Sequence, residues 1–344
     1  LPSVLPHIRS GRLVALAVGS PRRTPLLPEV PAVGESVPGF EYIAWYGLFA
    51  PTGTPAAVLD RVRADATRAL GQAEMQRALN AARAGILAQD LDAGFLLLSD
   101  LGNRTYLQAF NDQPESADRL YQDATDTLVQ LQLSQRNQEL PVYDEALLLR
   151  ELNLFPEWYL HRHLQVTLTS QQKTVLNNSF ALIVQNSLAQ PRVLVHRDYH
   201  SRNLMVTTPN PGVLDFQDAV LGPLTYDLVS LLKDAYIQWD EERILDWAIR
   251  YWEKARRAGL PISSDFAVFY RDFEWMGVQR HIKVLGIFAR LNHRDGKIGY
   301  VSDMPRVLEY LRKACERYSE LHPLLLLLDE WHAIKPGQKI GYTF

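Results

Sequence analysis

The charged segment His196-Arg197-Asp198-Tyr199-His200-Ser201-Arg202-Asn203 follows the apolar run Val193-Leu194-Val195, and a second apolar pair, Val213-Leu214, ends in Asp215. The order H-R-D-x-x-x-x-N, then Asp, suits phosphoryl transfer, which asks a protein for a positioned acceptor hydroxyl and for divalent metal to neutralise phosphate charge. Asp198 can accept the hydroxyl proton, and Asn203 and Asp215 offer hard oxygen ligands to Mg²⁺. Taken singly, each is an ordinary turn or capping residue. In this order, between apolar strands, they point to chemistry. His196 reads as a buried residue bracing the loop rather than as an acid or base, because Asp198 already occupies that role.

These residues need strands to hold them, and Val193-Leu194-Val195, Leu204-Met205-Val206 and Val213-Leu214 are short and β-branched-rich. Upstream, Ile86 to Gln89 and Phe95 to Leu98 bracket Asp90-Leu91-Asp92-Ala93-Gly94, which suits a hairpin. Helical spacing then dominates. Leu120, Ala124, Leu128 and Leu131 form one apolar face, and Phe180, Ile183, Val184 and Leu188 another. Tyr226 to Trp239 and Glu241 to Ala258 read as consecutive helices, the second stopped by Gly259 and Pro261. Ser263-Ser264-Asp265 caps a long helix whose stripe Phe266, Phe269, Phe273, Met276, Val284, Leu285 and Phe288 reads as core.

The 344 residues are 47% hydrophobic and 22% charged, so the chain is long enough for two or more domains and is not of disordered composition. A net charge of −3 gives no reason to expect nucleic acid. The single Cys315 excludes an intrachain disulfide and a cysteine-based zinc cage. The apolar run Leu324 to Leu328 is far too short to cross a bilayer. The first residues lack the pattern of a signal peptide and begin with Leu1, so a truncated or processed start is expected.

Residues 1–83 differ in character from the rest. Leu5-Pro6-His7-Ile8-Arg9-Ser10-Gly11-Arg12-Leu13, Pro28-Glu29-Val30-Pro31, Pro38-Gly39-Phe40 and Trp45-Tyr46-Gly47-Leu48-Phe49-Ala50-Pro51 resemble the tripartite tricarboxylate receptor family of periplasmic solute-binding proteins. The resemblance covers an interior piece of that α/β fold. It implies a carboxylate-binding ancestry without a complete cleft.

From residue 84 to about 330 the chain resembles the aminoglycoside phosphotransferase-like kinases, and within them the bacterial kinases of N-acetylmuramate and N-acetylglucosamine. The blocks Ile86 to Gly102, His196 to Asp218 and Trp275 to Leu291 carry the likeness. It implies an α+β, protein-kinase-like fold with a truncated small lobe and a mostly helical large lobe. The expected parcels are a receptor-like fragment at 1–83, a small-lobe remnant with hinge and first helix at 84–133, and a large lobe at 134–344.

The same resemblance makes Asp198 the base and Asn203 and Asp215 the metal ligands. It places the adenine-facing backbone at Ser99, Asp100 and Leu101, has Asp227 brace the catalytic loop, and matches Asp218 in a structural or weakly substrate-linked role. Arg280 and Lys283, on a helix with an apolar opposite face, become candidates to meet a sugar amide or carboxylate; the alternative is that they are solvated or paired surface cations.

The implied substrates are ATP with Mg²⁺ and a small amino sugar phosphorylated at its anomeric hydroxyl, in the cytoplasm, in cell-wall sugar recycling. No G-x-G-x-x-G precedes residue 84, and the first lysine is Lys173. Severely reduced activity is therefore expected, because a kinase needs a glycine-rich loop over the phosphates. The rival readings are a catalytically inactive kinase-like binding protein and a carboxylate receptor.

Overall fold

The computed structural model describes residues 29–31, 35, 101–134 and 140–332, with the backbone of two strands before them. Ser99 and Asp100, and nearly all of the receptor-like segment, lie outside the described residues. The chain separates into two compact units, Leu1–Asn103 and Arg104–Phe344.

In the first unit β1 (Ile86–Asp90) pairs antiparallel with β2 (Phe95–Leu98), as the hairpin pattern predicts. Asp90 pairs with Phe95, so the strand is one residue longer than its apolar run.

The second unit begins with α1 (Tyr106–Asp112), started by a capping box: Thr105 Oγ1 accepts the Gln108 N–H at 3.2 Å and Gln108 Oε1 accepts the Thr105 N–H at 2.9 Å. Next come α2 (Ala117–Leu133), which buries Leu120, Ala124, Leu128 and Leu131 as spaced, and α3 (Glu145–Leu152), capped by Asp144. A π-helical stretch, Phe155–His163, leads to α4 (Ser170–Ala189), whose Thr169 and Gln172 form a second capping box.

Residues 196–203 are framed by very short strands. These are β3 (Arg192–Val195), β4 (Leu204–Met205), β5 (Gly212–Val213) and β6 (Val220–Pro223). β3 pairs antiparallel with β6, Val195 opposite Val220, and β4 with β5, Leu204 opposite Val213. Residues 196–203 therefore run from the end of one ladder to the start of the other. Residues 214–219 run back, which sets Asp198 and Asp215 just beyond the ends of β3 and β5.

The helices α5 (Tyr226–Leu232), α6 (Glu241–Arg257), α7 (Phe266–Asp295), α8 (Met304–Arg317) and α9 (His322–Trp331) complete the unit. Asp265 caps α7 by accepting the Ala267 N–H at 2.8 Å, and α6 ends before Gly259 at φ +81°. α7 packs along the π-helical stretch, α4, α5 and α8.

Two elements differ from the sequence reading. The helix expected over Tyr226 to Trp239 stops at Leu232, because Asp234 turns its carboxylate to the N–H groups of Ser201 at 2.9 Å and Tyr236 at 3.0 Å. A local side-chain acceptor here competes with helix continuation. β6 carries a Gly and a Pro, which lower strand propensity. It pairs with β3 all the same, and Gly222 lies against Tyr143, where a Cβ would stand 3.0 Å from that side chain.

Candidate active site

The loop after β3 is held from below by Asp227. This fully buried carboxylate accepts the N–H of His196 at 2.6 Å and of Arg197 at 2.9 Å. Burial lifts its pKa to about 7, against the pull of those two donors. Asp227 thus satisfies two main-chain donors that would otherwise be buried alone.

Arg197 adopts φ +75° and Asp215 φ +68°, left-handed conformations that are costly for residues with a Cβ. The first is over-determined by its neighbours. Arg280 Nη1 donates to the Arg197 carbonyl at 3.0 Å, and Arg197 Nη1 donates to the Asp218 carbonyl at 3.4 Å. Arg197 Nη2 also donates to Glu151 Oε1.

Asp198 follows, half-buried. Burial opposes its ionisation, but the charges of Arg280 and Lys283 outweigh burial and hold the carboxyl below its ordinary range. An ionised carboxylate at this point can accept a hydroxyl proton. His196 is buried, and its Nδ1 faces the Asp198 N–H at 3.3 Å. Burial pushes its imidazole down to about 4, so it stays neutral.

Asn203 Nδ2 donates to the Asp198 carbonyl at 3.0 Å and lies 3.4 Å from Asp215 Oδ2. Asp215 is exposed, and its other oxygen accepts from Gln217 Nε2 at 2.7 Å. The structure therefore brings Asp198, Asn203 and Asp215 together. Among the described residues no cluster of three His, Cys, Asp or Glu is poised for a metal. The donor chemistry of Asn203 and Asp215 still fits Mg²⁺, which takes one or two carboxylates and fills its remaining positions with phosphate and water. Leu101 is half-buried and is the described member of the hinge expectation.

Arg280 and Lys283 are not surface cations, since both are buried. Lys283 Nζ lies 3.0 Å from Glu151 Oε1 and donates to the Tyr226 hydroxyl at 2.8 Å; Arg280 Nη1 lies 3.3 Å from the same hydroxyl. Glu151 is the hub. It also accepts from the Tyr143 hydroxyl and, at 3.2 Å, from Gln279 Nε2. Burial disfavours its charge, yet Lys283 and Arg197 keep its pKa below the ordinary value.

Glu151, Tyr143, Tyr226 and Gln279 were not singled out from the sequence. The usable signal was Glu151 itself. It shares a helical face with Leu148 and Leu152, both fully buried, and an acid on such a face needs a cation.

Comparison with known proteins accounts for both parts of the chain. The model of the phosphotransferase enzyme family matches residues 49–260, and that of the tripartite tricarboxylate transporter family receptors matches residues 1–94. The two overlap over 49–94. The chain is 54% identical over 247 residues to the N-acetylmuramate/N-acetylglucosamine kinase of Neisseria meningitidis serogroup B, covering 71% of this chain and 74% of that protein. It is 51% identical over 248 residues to the Pseudomonas putida protein of the same name, covering 72% and 73%. The structure of choline kinase LicA from Streptococcus pneumoniae has a TM-score of 0.52 at 12% identity over 82% of this chain and 98% of that one, which is a likeness of fold alone, protein-kinase-like and α+β. Identity sustained over more than two thirds of both chains, on top of the match over 49–260, leaves one conclusion: this protein belongs to the phosphotransferase enzyme family.

Proposed function

We propose that the protein transfers the γ-phosphoryl group of ATP to the anomeric hydroxyl of an amino sugar, N-acetylmuramate or N-acetylglucosamine, in the cytoplasm and in the service of cell-wall sugar recycling. The observation that carries the reading is the ionised Asp198, kept so by Arg280 and Lys283, beside the Asn203 and Asp215 pair. The sugar identity is supported by the names of relatives at 54% and 51% identity.

In this reading Asp198 takes the proton from the anomeric hydroxyl as its oxygen attacks the γ-phosphorus, and ADP leaves. An anomeric hydroxyl is more acidic than an ordinary alcohol, so a carboxylate held below its usual pKa is an adequate base. Asn203 and Asp215 would hold Mg²⁺, which when bound neutralises phosphate charge. The backbone of Ser99, Asp100 and Leu101 would face adenine. Asp227, Arg280 and the Glu151 network act on the base through the loop that carries it.

A slow enzyme is part of the proposal, because residues 1–83 contain no G-x-G-x-x-G to cover the phosphates. Direct detection of sugar 1-phosphate from each sugar with ATP and Mg²⁺ tests the reading. Nucleotide-independent binding of tricarboxylates, with no sugar phosphate, would favour the receptor instead.

A further inference from the structure

Four residues beyond the base, Arg202 is exposed at the end of the catalytic loop. Its Cζ lies 3.7 Å from the centre of the Tyr236 ring and 5.8 Å from that of Tyr300. Among the described residues it makes no ion pair and no hydrogen bond. A guanidinium over an aromatic ring with no other partner still has N–H groups to offer, and its planar fork can receive a carboxylate with two parallel bonds.

The ring beneath it belongs to a wall that reaches the catalytic loop. Tyr236 lies 5.4 Å from His200, two residues after Asp198, and 6.0 Å from Phe288, which in turn lies 5.0 Å from Tyr300. His200 Nδ1 is buried without a hydrogen-bond partner. An aromatic wall suits a ring compound that carries apolar C–H faces. A pyranose is such a compound.

We propose that Arg202, held on Tyr236, reads the lactyl carboxylate of N-acetylmuramate and makes the acid-bearing sugar the preferred acceptor over N-acetylglucosamine, which lacks that group. The inference rests on the amino-sugar reading above and adds the residue that discriminates within it. The competing source of negative charge is the nucleotide. A phosphate held by Arg202 would tie the residue to ADP affinity rather than to sugar choice.

The test is calorimetric binding of N-acetylmuramate, N-acetylglucosamine and ADP to the full chain, alongside Arg202→Ala and Arg202→Lys. Because the side chain is exposed, both variants should keep the wild-type circular dichroism spectrum. Arg202→Ala is expected to lower the ratio of N-acetylmuramate to N-acetylglucosamine affinity about tenfold or more, the scale of a lost charge-assisted contact. Arg202→Lys restores part of the ratio, and of the two sugars added salt weakens only the acidic one. ADP affinity stays at the wild-type value. An equal loss on both sugars, an unchanged ratio, or a loss confined to ADP overturns the inference while leaving the amino-sugar reading in place. Wild-type protein that binds neither sugar overturns both.

Discussion

Arg280 donates to the main-chain carbonyl of Arg197 at 3.0 Å, so α7 holds the peptide that leads into the base rather than the carboxylate itself. The same guanidinium supplies much of the charge that keeps Asp198 ionised despite burial. Position and protonation of the base are thus tied to one side chain.

Arg280→Gln should separate the two effects. Loss of the cation lets burial act unopposed on Asp198, so the acid limb of the kcat/KM pH profile moves to higher pH. The sign follows from the cause of the shift: Arg280 is the foremost charge that lowers the Asp198 pKa, so removing it raises that pKa and the ionised base persists only at higher pH. At neutral pH kcat should drop about tenfold or more, because a charged donor to the loop is gone. An acid limb that does not move would refute the electrostatic part.

Glu151→Ala leaves Arg197 and Lys283 without their shared carboxylate in a site where Glu151 and Lys283 side chains are each 7% exposed. The expected cost is about 3–5 kcal/mol, read from the urea midpoint. Adding Lys283→Met to that variant should recover part of it, since the uncompensated charge leaves with the lysine. Glu151 has a lowered folded pKa, so its stabilisation is present above the ordinary glutamate value and disappears on acidification. The acid dependence of stability should therefore be flatter in Glu151→Gln.

The cluster of Asp198, Asn203 and Asp215 was legible because the three sit within one short, ordered motif bounded by apolar strands. The hairpin Ile86–Asp90 with Phe95–Leu98, the Asp265 cap and the end of α6 before Gly259 were equally local and equally readable. What supports the base was not. Glu151 and Lys283 lie 132 positions apart, and no local pattern says which buried acid meets which buried cation. The same limit left Arg280 and Lys283 as candidates for the sugar, with solvated or paired surface cations as the alternative, when both are buried among partners of their own. The break after Leu232 was missed for a related reason, because Asp234 turns toward Ser201, which is distant in sequence.

Gly286→Ala tests how closely α7 is seated. A Cβ at this position would stand 2.5 Å from the Leu154 carbonyl carbon and 2.8 Å from its oxygen, both backbone atoms at the head of the π-helical stretch. Neither helix can yield by turning a side chain. The substitution should cost about 1–3 kcal/mol or more as overpacking, seen as a lower urea midpoint with an unchanged slope.

Turnover decides how much the site alone can do. The proposal of a slow enzyme rests on the lack of a G-x-G-x-x-G in residues 1–83, since phosphates left open to water would lose electrostatic stabilisation of the transition state. Sugar phosphate should therefore form well below the ordinary kinase rate of about 1–100 s⁻¹. Asp198→Asn should lower that residual rate by about 10²–10⁴, the usual contribution of a general base, while leaving the urea midpoint near that of the wild type. The midpoint matters because the two N–H groups that pin this loop are held by Asp227, not by Asp198. A rate within the ordinary kinase range, abolished by Asp198→Asn, would mean that the phosphates are covered by some other part of this chain.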